Sequence, residues 1–216
     1  MKAIIQEMPM QIIRIPAAGF AANCWLVWDE TSHEAAVIDP AAECDDITDA
    51  LKEHSLKLCW ILLTHGHFDH IFAADTLRDA TGAPLAVHRG DTKSLTDAVA
   101  NASAVFFGEK HLYRPAERIL EKGDELQLGT LTIRVHHFPG HSPGCAIYEV
   151  GDVLFTGDVL FAGSVGRVDL PGGNAGVMQE SLERLCDMEE HTLYPGHGGI
   201  TTLQKEIKTN PFLQYF

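Results

Sequence analysis

Apolar residues occur in short runs over the first sixty residues, and turn-forming residues separate these runs. The runs cover residues 12–15, 24–28 and 35–38, with Pro16 and Asp29 among the residues between them. Short apolar runs bounded by such residues are typical of β-strands. The pattern predicts that the chain begins with a series of strands joined by tight turns.

The rest of the chain alternates between strand-like and helix-like patterns. Apolar spacing predicts helices over 47–54, 71–81, 178–188 and 201–209, and strands over 57–64, 85–88, 131–136, 145–150, 153–155 and 192–194. Gly151 and Asp152 are typical of a hairpin turn. Residues 91–118 are predicted to form a helix and an irregular surface segment. The predicted strands fall into two groups along the chain with helices between them, and this order favours two sheets sandwiched by helices. We predict one domain over residues 1–216.

The composition of the 216-residue chain fits a large domain with an apolar core, because 45% of its residues are hydrophobic. Thirty acidic residues against sixteen Lys and Arg give a net charge of -14, which argues against a nucleic-acid partner. No apolar run approaches the roughly 18 residues of a membrane span, and Glu7, Gln11 and Arg14 interrupt any N-terminal signal. We therefore predict a cytoplasmic protein with no membrane or nucleic-acid partner. The sequence does not indicate an oligomeric state.

The five cysteines are scattered, and none forms a Cys-x-x-Cys pair. This distribution predicts buried, reduced thiols and argues against a disulfide framework or a thiolate zinc site. The twelve histidines are more informative, because several of them occur with aspartates in loops that follow predicted strands.

Three histidines and an aspartate occur within six residues directly after the strand predicted over 57–64. They are His65, His67, Asp69 and His70. Because alternate residues of an extended segment point to the same side, His65 and His67 can reach one metal ion. Asp69 and His70 follow the turn and can reach a second ion. Imidazole and carboxylate ligands suit zinc, iron or manganese better than calcium or magnesium.

Three further candidate ligands lie in loops that follow predicted strands. His141 occupies the turn Pro-Gly-His-Ser-Pro-Gly, Asp158 ends the segment Phe-Thr-Gly-Asp, and His197 occupies Tyr-Pro-Gly-His-Gly. Each loop alone could be an ordinary turn with a polar residue. Their occurrence in one chain with the histidine-rich segment predicts a site for two metal ions.

The motif His-x-His-x-Asp-His, followed by a lone His, a lone Asp and a final His, resembles the ligand series of the metallo-β-lactamase superfamily. The resemblance covers nearly the whole chain, from Asn23 and Asp39 to His197. It implies an α/β fold, an αββα sandwich of two mixed β-sheets flanked by helices, with a dinuclear site at the open edge of the sheets. It further implies that one ion is bound by His65, His67 and His141, that the other is bound by Asp69, His70 and His197, and that Asp158 bridges both.

Two later segments resemble the short, single-domain glyoxalase II-like hydrolases of that superfamily. They are residues 166–174 (Gly-Arg-Val-Asp-Leu-Pro-Gly-Gly-Asn) and residues 210–214 (Asn-Pro-Phe-Leu-Gln). The resemblance implies hydrolysis of a small anionic thioester, S-lactoylglutathione or a related hydroxyacyl-glutathione. It also implies two divalent metal ions as cofactors, with zinc as the expected metal and iron or manganese as options.

The same resemblance assigns roles to three residues. Asp69 is expected to orient the nucleophile and take part in proton transfer, and Asp158 to act as the bridging catalytic ligand. Arg167 lies where two-domain glyoxalase II enzymes carry a substrate-binding lysine, whereas Asp169 replaces their nearby tyrosine. Arg167 could therefore bind an anionic part of the substrate, or it could form a structural salt bridge.

Other activities of the same fold remain as alternatives. A persulfide dioxygenase has a similar motif but uses a single iron and consumes oxygen, and a lactonase or β-lactamase would use a similar site. A non-enzymatic structural metal site is disfavoured, because structural zinc is normally bound by thiolates and these candidate ligands carry nitrogen and oxygen donors. The aromatic residues Phe106, Phe107 and Tyr113 could line a substrate pocket or cover the core.

Overall fold

Each half of the chain supplies one six-stranded β-sheet of the described structure. The structure is a computed structural model that describes residues 9–17, 22–108 and 110–214. The first half contains β1 (Met10–Ile15), β2 (Cys24–Asp29), β3 (Glu34–Ile38), α1 (Cys44–Glu53), β4 (Lys57–Leu63), α2 (Ala74–Thr81), β5 (Leu85–His88), a 3₁₀ helix (Arg89–Leu95), α3 (Ser103–Phe107) and β6 (Arg118–Leu120). The second half contains β7 (Glu125–Leu128), β8 (Leu131–His137), β9 (Ala146–Val150), β10 (Val153–Gly157), β11 (Leu160–Phe161), β12 (Ser164–Val165), α4 (Ala175–Cys186), β13 (Thr192–Pro195), β14 (Thr201–Thr202) and α5 (Leu203–Thr209).

Both sheets are mixed, as the sequence predicted. The strand order in the first sheet is β1-β2-β3-β4-β5-β6, antiparallel up to β3 and parallel from β3 to β6. The order in the second sheet is β14-β13-β10-β9-β8-β7, with β10 and β13 parallel and the other neighbours antiparallel. The strands β11 and β12 form a separate antiparallel pair.

Apolar clusters hold the layers of the described structure together. One packs α1 and α2 against the outer face of the first sheet, a second lies between the sheets, and a third packs α4 and α5 against the second sheet. Successive residues of β2 point to opposite faces of the first sheet, so Leu26 belongs to the first cluster and Val27 to the second. Strands buried on both faces are apolar throughout instead of alternating with polar residues. The arrangement confirms the predicted αββα sandwich.

Several predicted helix boundaries differ from the structure. The helix predicted over 71–81 begins at Ala74, and α4 begins earlier than predicted. The helix predicted over 201–209 begins at Leu203, because residues 201–202 pair with β13 as strand β14. Among the described helices, none has the length and apolar composition needed to span a bilayer.

Residues 91–118 contain more regular structure than the sequence indicated. The segment begins within the 3₁₀ helix, continues through α3 and ends at the first residue of β6. The strands β6, β7, β11 and β12 were not predicted. They are two to four residues long, and such short patterns cannot be distinguished from turns.

The loops that carry the candidate ligands leave the carboxyl ends of strands. The segment 64–70 follows β4 in the first sheet, while Asp158 follows β10 and His197 follows β13 in the second. The two sheets are joined at this edge, because the Tyr148 hydroxyl on β9 donates a hydrogen bond to the carbonyl oxygen of Leu63 on β4 at 2.7 Å. Ligand sites of α/β proteins typically form where such strand ends meet.

Candidate metal centre

A buried aspartate directly after β3 fixes the segment that follows β4. Asp39 accepts hydrogen bonds from the backbone N–H of Thr64 at 2.7 Å and from the Thr64 hydroxyl at 2.6 Å. Its φ of 53° lies in the left-handed region, which aspartate tolerates better than most residues. Asp39 thereby holds the start of the histidine-rich segment in place.

Three buried imidazole rings, those of His65, His67 and His141, form a group that we term the first set. Nδ1 of His67 lies 2.8 Å from Nε2 of His141, and Nε2 of His65 lies 3.2 Å from the same atom. Burial lowers the pKa of His65 well below its usual value and that of His67 to about 3. These two rings are therefore neutral at pH 7, and a neutral imidazole has a lone pair that can bind a cation.

A backbone carbonyl determines which nitrogen of His141 faces the other two rings. Nδ1 of His141 lies 2.7 Å from the carbonyl oxygen of Arg167, which can only accept a hydrogen bond. We therefore assign the proton to Nδ1, which leaves the lone pair on Nε2, the nitrogen that faces the set. Gly166 leaves room for the imidazole ring, because a Cβ there would lie 3.1 Å from Cγ of His141.

The second set consists of Asp69, His70 and His197, and it carries charge. Nε2 of His70 lies 3.3 Å from Nε2 of His197, which lies 3.5 Å from Oδ2 of Asp69. Burial lowers the pKa of His70, but the neighbouring carboxylates, above all that of Asp158, outweigh burial and raise it well above its usual value. Burial also lowers the pKa of His197, but hydrogen bonds to Asp158 and Asp69 raise it to about 9. This set is therefore an ion-pair cluster at pH 7.

Asp158 lies between the two sets and contacts rings of both. Its Oδ2 lies 3.4 Å from Nε2 of His141 in the first set and 3.4 Å from Nε2 of His197 in the second. Its Oδ1 lies 3.2 Å from Nε2 of His70. Burial raises the pKa of this carboxyl, but the charge of His70 and a hydrogen bond from His197 lower it well below its usual value. Asp158 is therefore ionised, and its two oxygens face both sets.

Buried polar atoms at the centre of the cluster indicate a cation site. The ligand atoms of His65, His67 and His141 lie within 4.8 Å of one another, and Oδ1 of Asp158 receives no well-oriented hydrogen bond from a described residue, although Nε2 of His70 lies 3.2 Å away. A buried carboxylate oxygen without such a bond is costly, and a cation bound among these donors would satisfy it. The candidate ligands carry nitrogen and oxygen donors, which suit zinc, iron or manganese. The cluster therefore fits divalent metal ions.

The loop that carries His197 is held by residues at the start of β2 in the other sheet. The side-chain amide of Asn23 donates hydrogen bonds to the carbonyl oxygens of Pro195 at 2.9 Å and Gly198 at 3.0 Å. Nε1 of Trp25 donates to the same Pro195 oxygen at 3.0 Å. Asn23 could be identified from the sequence only through the family resemblance, because it lies 175 positions from Gly198, whose carbonyl oxygen it holds.

Asp91 is a buried carboxylate near the first set that the sequence analysis missed. It contacts residues in both loops that supply the first set. Burial raises the pKa of Asp91, whereas hydrogen bonds from its neighbours lower it. Asp91 follows β5 as Asp39 follows β3, so an aspartate shortly after an apolar strand is the signal that could have identified both.

Arg167 lies beside the first set, but its guanidinium is paired with Asp169. Nε and Nη2 of Arg167 donate hydrogen bonds to the two carboxylate oxygens of Asp169 at 2.6 and 2.7 Å, and the two side chains are 54% and 66% exposed. Arg167 also lines a pocket of about 600 Å³ together with Met178 and Phe212. Phe212 belongs to residues 210–214, so the structure brings together the two segments that resemble glyoxalase II-like hydrolases.

Other residues that the sequence singled out lie outside the cluster. The rings of Phe106 and Phe107 contact that of Phe68, with centroids 5.5 and 4.9 Å apart, so they lie at the rim of the metal centre. Tyr113 instead packs against the apolar cluster beneath α1 and α2. All five cysteines are free thiols, two of them buried.

This chain is similar to known proteins over most of its length. The family profile "Metallo-beta-lactamase superfamily" matches residues 17–197. The chain is 37% identical over 207 residues to "Probable metallo-hydrolase YqgX" of Bacillus subtilis (strain 168), covering 94% of this chain and 97% of that protein. It is 35% identical over 210 residues to "Hydroxyacylglutathione hydrolase GloC" of Haemophilus influenzae, covering 94% of this chain and 98% of that protein.

Solved structures show the same similarity. BLEG-1 B3 metallo-beta-lactamase has a TM-score of 0.88 and 36% identity, covering 94% of this chain and 99% of that one. TTHA1623 in a di-iron-bound form has a TM-score of 0.79 and 36% identity, covering 93% and 100%. ETHE1 from Myxococcus xanthus has a TM-score of 0.76 and 27% identity, covering 93% and 83%. The chain therefore belongs to the metallo-β-lactamase superfamily.

Proposed function

We propose that this protein hydrolyses thioesters at a dinuclear metal centre, with S-lactoylglutathione or a related hydroxyacyl-glutathione as its substrate. The observation that carries the proposal is the position of Asp158, whose oxygens face both sets. In this proposal the first set would hold one ion and the second set the other, with Asp158 as the ligand that they share. A shared carboxylate keeps two cations close enough to act on one water molecule. The 35% identity to GloC supports glutathione thioesters as the substrate class.

Asp69 supplies the proton acceptor of the proposed reaction. Two divalent cations bound by these residues would lower the pKa of a water molecule from about 15.7 towards 7 and stabilise negative charge on the thioester oxygen. The Asp69 side chain is 23% exposed, against 9% for Asp158, so it is the more accessible of the two carboxylates. Burial raises the pKa of Asp69, but the charge of His70 and a hydrogen bond from His197 lower it below its usual value. Asp69 is therefore ionised at pH 7 and can orient the water and accept its proton.

Arg167 binds an anionic group of the substrate in this proposal. Its carbonyl oxygen holds His141, so its side chain starts next to the first set. The guanidinium is exposed, and a substrate carboxylate can replace or join Asp169 at little cost, because exposed ion pairs are weak. The neighbouring pocket of about 600 Å³ provides room for the rest of the thiol portion.

The proposal is tested by measuring metal content and thioester hydrolysis on the same preparation. We expect turnover of S-lactoylglutathione to increase with metal content and to be maximal at two ions per chain. Asp69→Asn keeps the size of the side chain but removes both a charged ligand of the second set and the proton acceptor, so on preparations that still hold two ions per chain it should lower kcat with little change in KM. Asp49→Asn, at an exposed carboxylate on α1, is the matched control and should change neither constant. Full turnover with one ion per chain, or in Asp69→Asn, would contradict the proposal.

The 36% identical TTHA1623 was solved in a di-iron-bound form, so iron is tested beside zinc as the metal, and a persulfide dioxygenase is tested as the second candidate activity. A persulfide dioxygenase would hold a single iron and consume oxygen. Oxygen uptake on glutathione persulfide by protein with one iron per chain would favour that activity. Release of free thiol from the thioester without oxygen uptake would favour the hydrolase. Cleavage of a β-lactam, tested beside them because of the similarity to BLEG-1, would indicate a third activity.

A further inference from the structure

A buried carboxylate joins the two loops that supply the first set. Asp91 lies in the 3₁₀ helix Arg89–Leu95 and is 2% exposed. Its Oδ2 accepts hydrogen bonds from the backbone N–H of Gly66 at 2.9 Å and from the Ser142 hydroxyl at 2.7 Å. Its Oδ1 accepts a hydrogen bond from the backbone N–H of Gly144 at 2.7 Å. Both oxygens of one side chain are therefore engaged by residues of two separate loops.

The partners of Asp91 are direct neighbours of the first set. Gly66 lies between His65 and His67, the two members of the first set in the histidine-rich segment, and Ser142 follows His141. A carboxylate that accepts hydrogen bonds from both loops fixes the distance between them, because neither loop can move without losing a buried hydrogen bond. The loop of His197 is held separately, by Asn23 and its neighbours.

Close packing reinforces the connection between the 3₁₀ helix and the second loop. A Cβ at Gly144 would lie 2.4 Å from the backbone nitrogen of Asp91. A Cβ at Gly90 would lie 2.5 Å from the carbonyl oxygen of Pro143. Glycine at these two positions allows the backbones to touch, so the loop follows the position of the helix.

We propose that Asp91 is a positioning residue that sets the spacing of the first set, and thereby the affinity for its metal ion, with little effect on the second set. The inference rests on the metal sites of the proposed function. The spacing concerned is the 2.8 Å between Nδ1 of His67 and Nε2 of His141, which come from the two loops that Asp91 joins. Residues that support metal ligands without touching the metal typically contribute about ten- to hundredfold to metal affinity.

The test measures the affinity of each set separately, with Co²⁺ as the probe and its visible absorption as the signal. His197→Ala disables the second set, His141→Ala disables the first, and Asp91→Asn is then added to each background. An asparagine amide keeps one acceptor oxygen but directs its NH₂ group towards at least one of the donors, so the hold on one loop is lost and the loops should separate. Co²⁺ affinity should fall about ten- to hundredfold in the His197→Ala background. It should not change in the His141→Ala background.

Two further variants keep the test decisive. Asp97→Asn is the matched control, because Asp97 accepts hydrogen bonds from Val99 and Ala100 in the adjacent turn and lies outside both loops. Ser142→Ala removes a single donor, and it decides the matter if Asp91→Asn does not fold, since it should weaken the first ion in the same direction. Equal losses in both backgrounds, or no loss from either variant, would overturn the proposal. If Co²⁺ binds as expected but no thioester is hydrolysed, the proposed function fails while the role of Asp91 stands.

Discussion

The two ligand sets face each other across Asp158, yet the pKa values of His65 and His67 in the first set shift downward and those of the two histidines of the second set shift upward. Burial lowers the pKa of His65 well below its usual value and that of His67 to about 3. In the second set, nearby carboxylates outweigh burial and raise the pKa of His197 to about 9. His65 and His70 are both fully buried, and the pKa of one falls while that of the other rises. The difference shows that the arrangement of carboxylates, more than burial, decides the charge of each ring.

The sets also differ in the residues that support them. In the first set, the carbonyl oxygen of Arg167 orients His141, and Asp91 joins the loops. In the second set, Asp39 lies 2.9 Å from Nδ1 of His70. Because these supports belong to different parts of the chain, the affinities for the two ions can be changed separately. The following variants use that separation.

Removal of the carboxylate that contacts both sets should have the largest effect. Asp158→Ala removes contacts to rings of each set, so we expect both ions to bind more weakly. The loss in kcat/KM should exceed the roughly hundredfold upper range for residues that only support a ligand. Metal analysis and S-lactoylglutathione hydrolysis measure the two effects, with Asp152→Ala, at an exposed position just before β10, as the control. A variant that keeps two ions and near-normal turnover would show that Asp158 is not shared.

Asp39→Asn should weaken binding of the second ion more than that of the first, which is the opposite of the effect expected for Asp91→Asn. Asparagine keeps the size of the side chain and tolerates its φ of 53°, but it loses the charge beside His70. We expect the second ion to bind about ten- to hundredfold more weakly, with a smaller change for the first. Co²⁺ titrations of the metal-free protein measure both steps. A loss confined to the first ion would contradict this division of supports.

The ligands and the sandwich could be predicted because they leave local signals in the sequence. Alternating histidines after an apolar strand stand out, and a strand buried on both faces, such as β4, is apolar along most of its length. The supports could not be predicted in the same way. Asp91 and Asn23 act on loops that are distant in the chain, and a single Asp or Asn near a turn resembles any other turn residue. The charge difference between the sets likewise depends on distances that no local pattern encodes.

The opposite pKa shifts predict different pH dependences of metal binding. A cation binds the neutral ring, so His197, with a pKa of about 9, must lose a proton at pH 7, whereas His67, with a pKa of about 3, does not. His70, whose pKa is also raised, must lose a proton as well, so the affinity of the second set should rise at least about tenfold per pH unit up to pH 9, and that of the first set should rise less steeply. Calorimetric titrations of His141→Ala and His197→Ala between about pH 6 and 9 measure each set alone. The same slope in both variants would show that the charge difference does not govern binding.

Arg167 should separate metal binding from substrate binding. Its carbonyl oxygen holds His141, whereas its exposed guanidinium is paired with Asp169. Arg167→Ala leaves the carbonyl in place, so we expect two ions per chain to be retained. Because exposed charge contacts contribute less than about 1 kcal/mol, KM for S-lactoylglutathione should rise by up to about fivefold with little change in kcat. Loss of an ion in this variant would show that the side chain, too, supports the first set.

Asp169→Asn should produce the smallest effect, and in the opposite direction. Asp169 is an anion of the protein that occupies the guanidinium of Arg167 through two hydrogen bonds, so it competes with an anionic substrate for the same donors. Its replacement should lower KM for S-lactoylglutathione by up to about fivefold. A small uncharged thioester serves as the control, and its KM should change in neither Arg167→Ala nor Asp169→Asn. Equal changes for the charged and the uncharged thioester, together with a lower Tm, would instead identify the pair as a structural salt bridge.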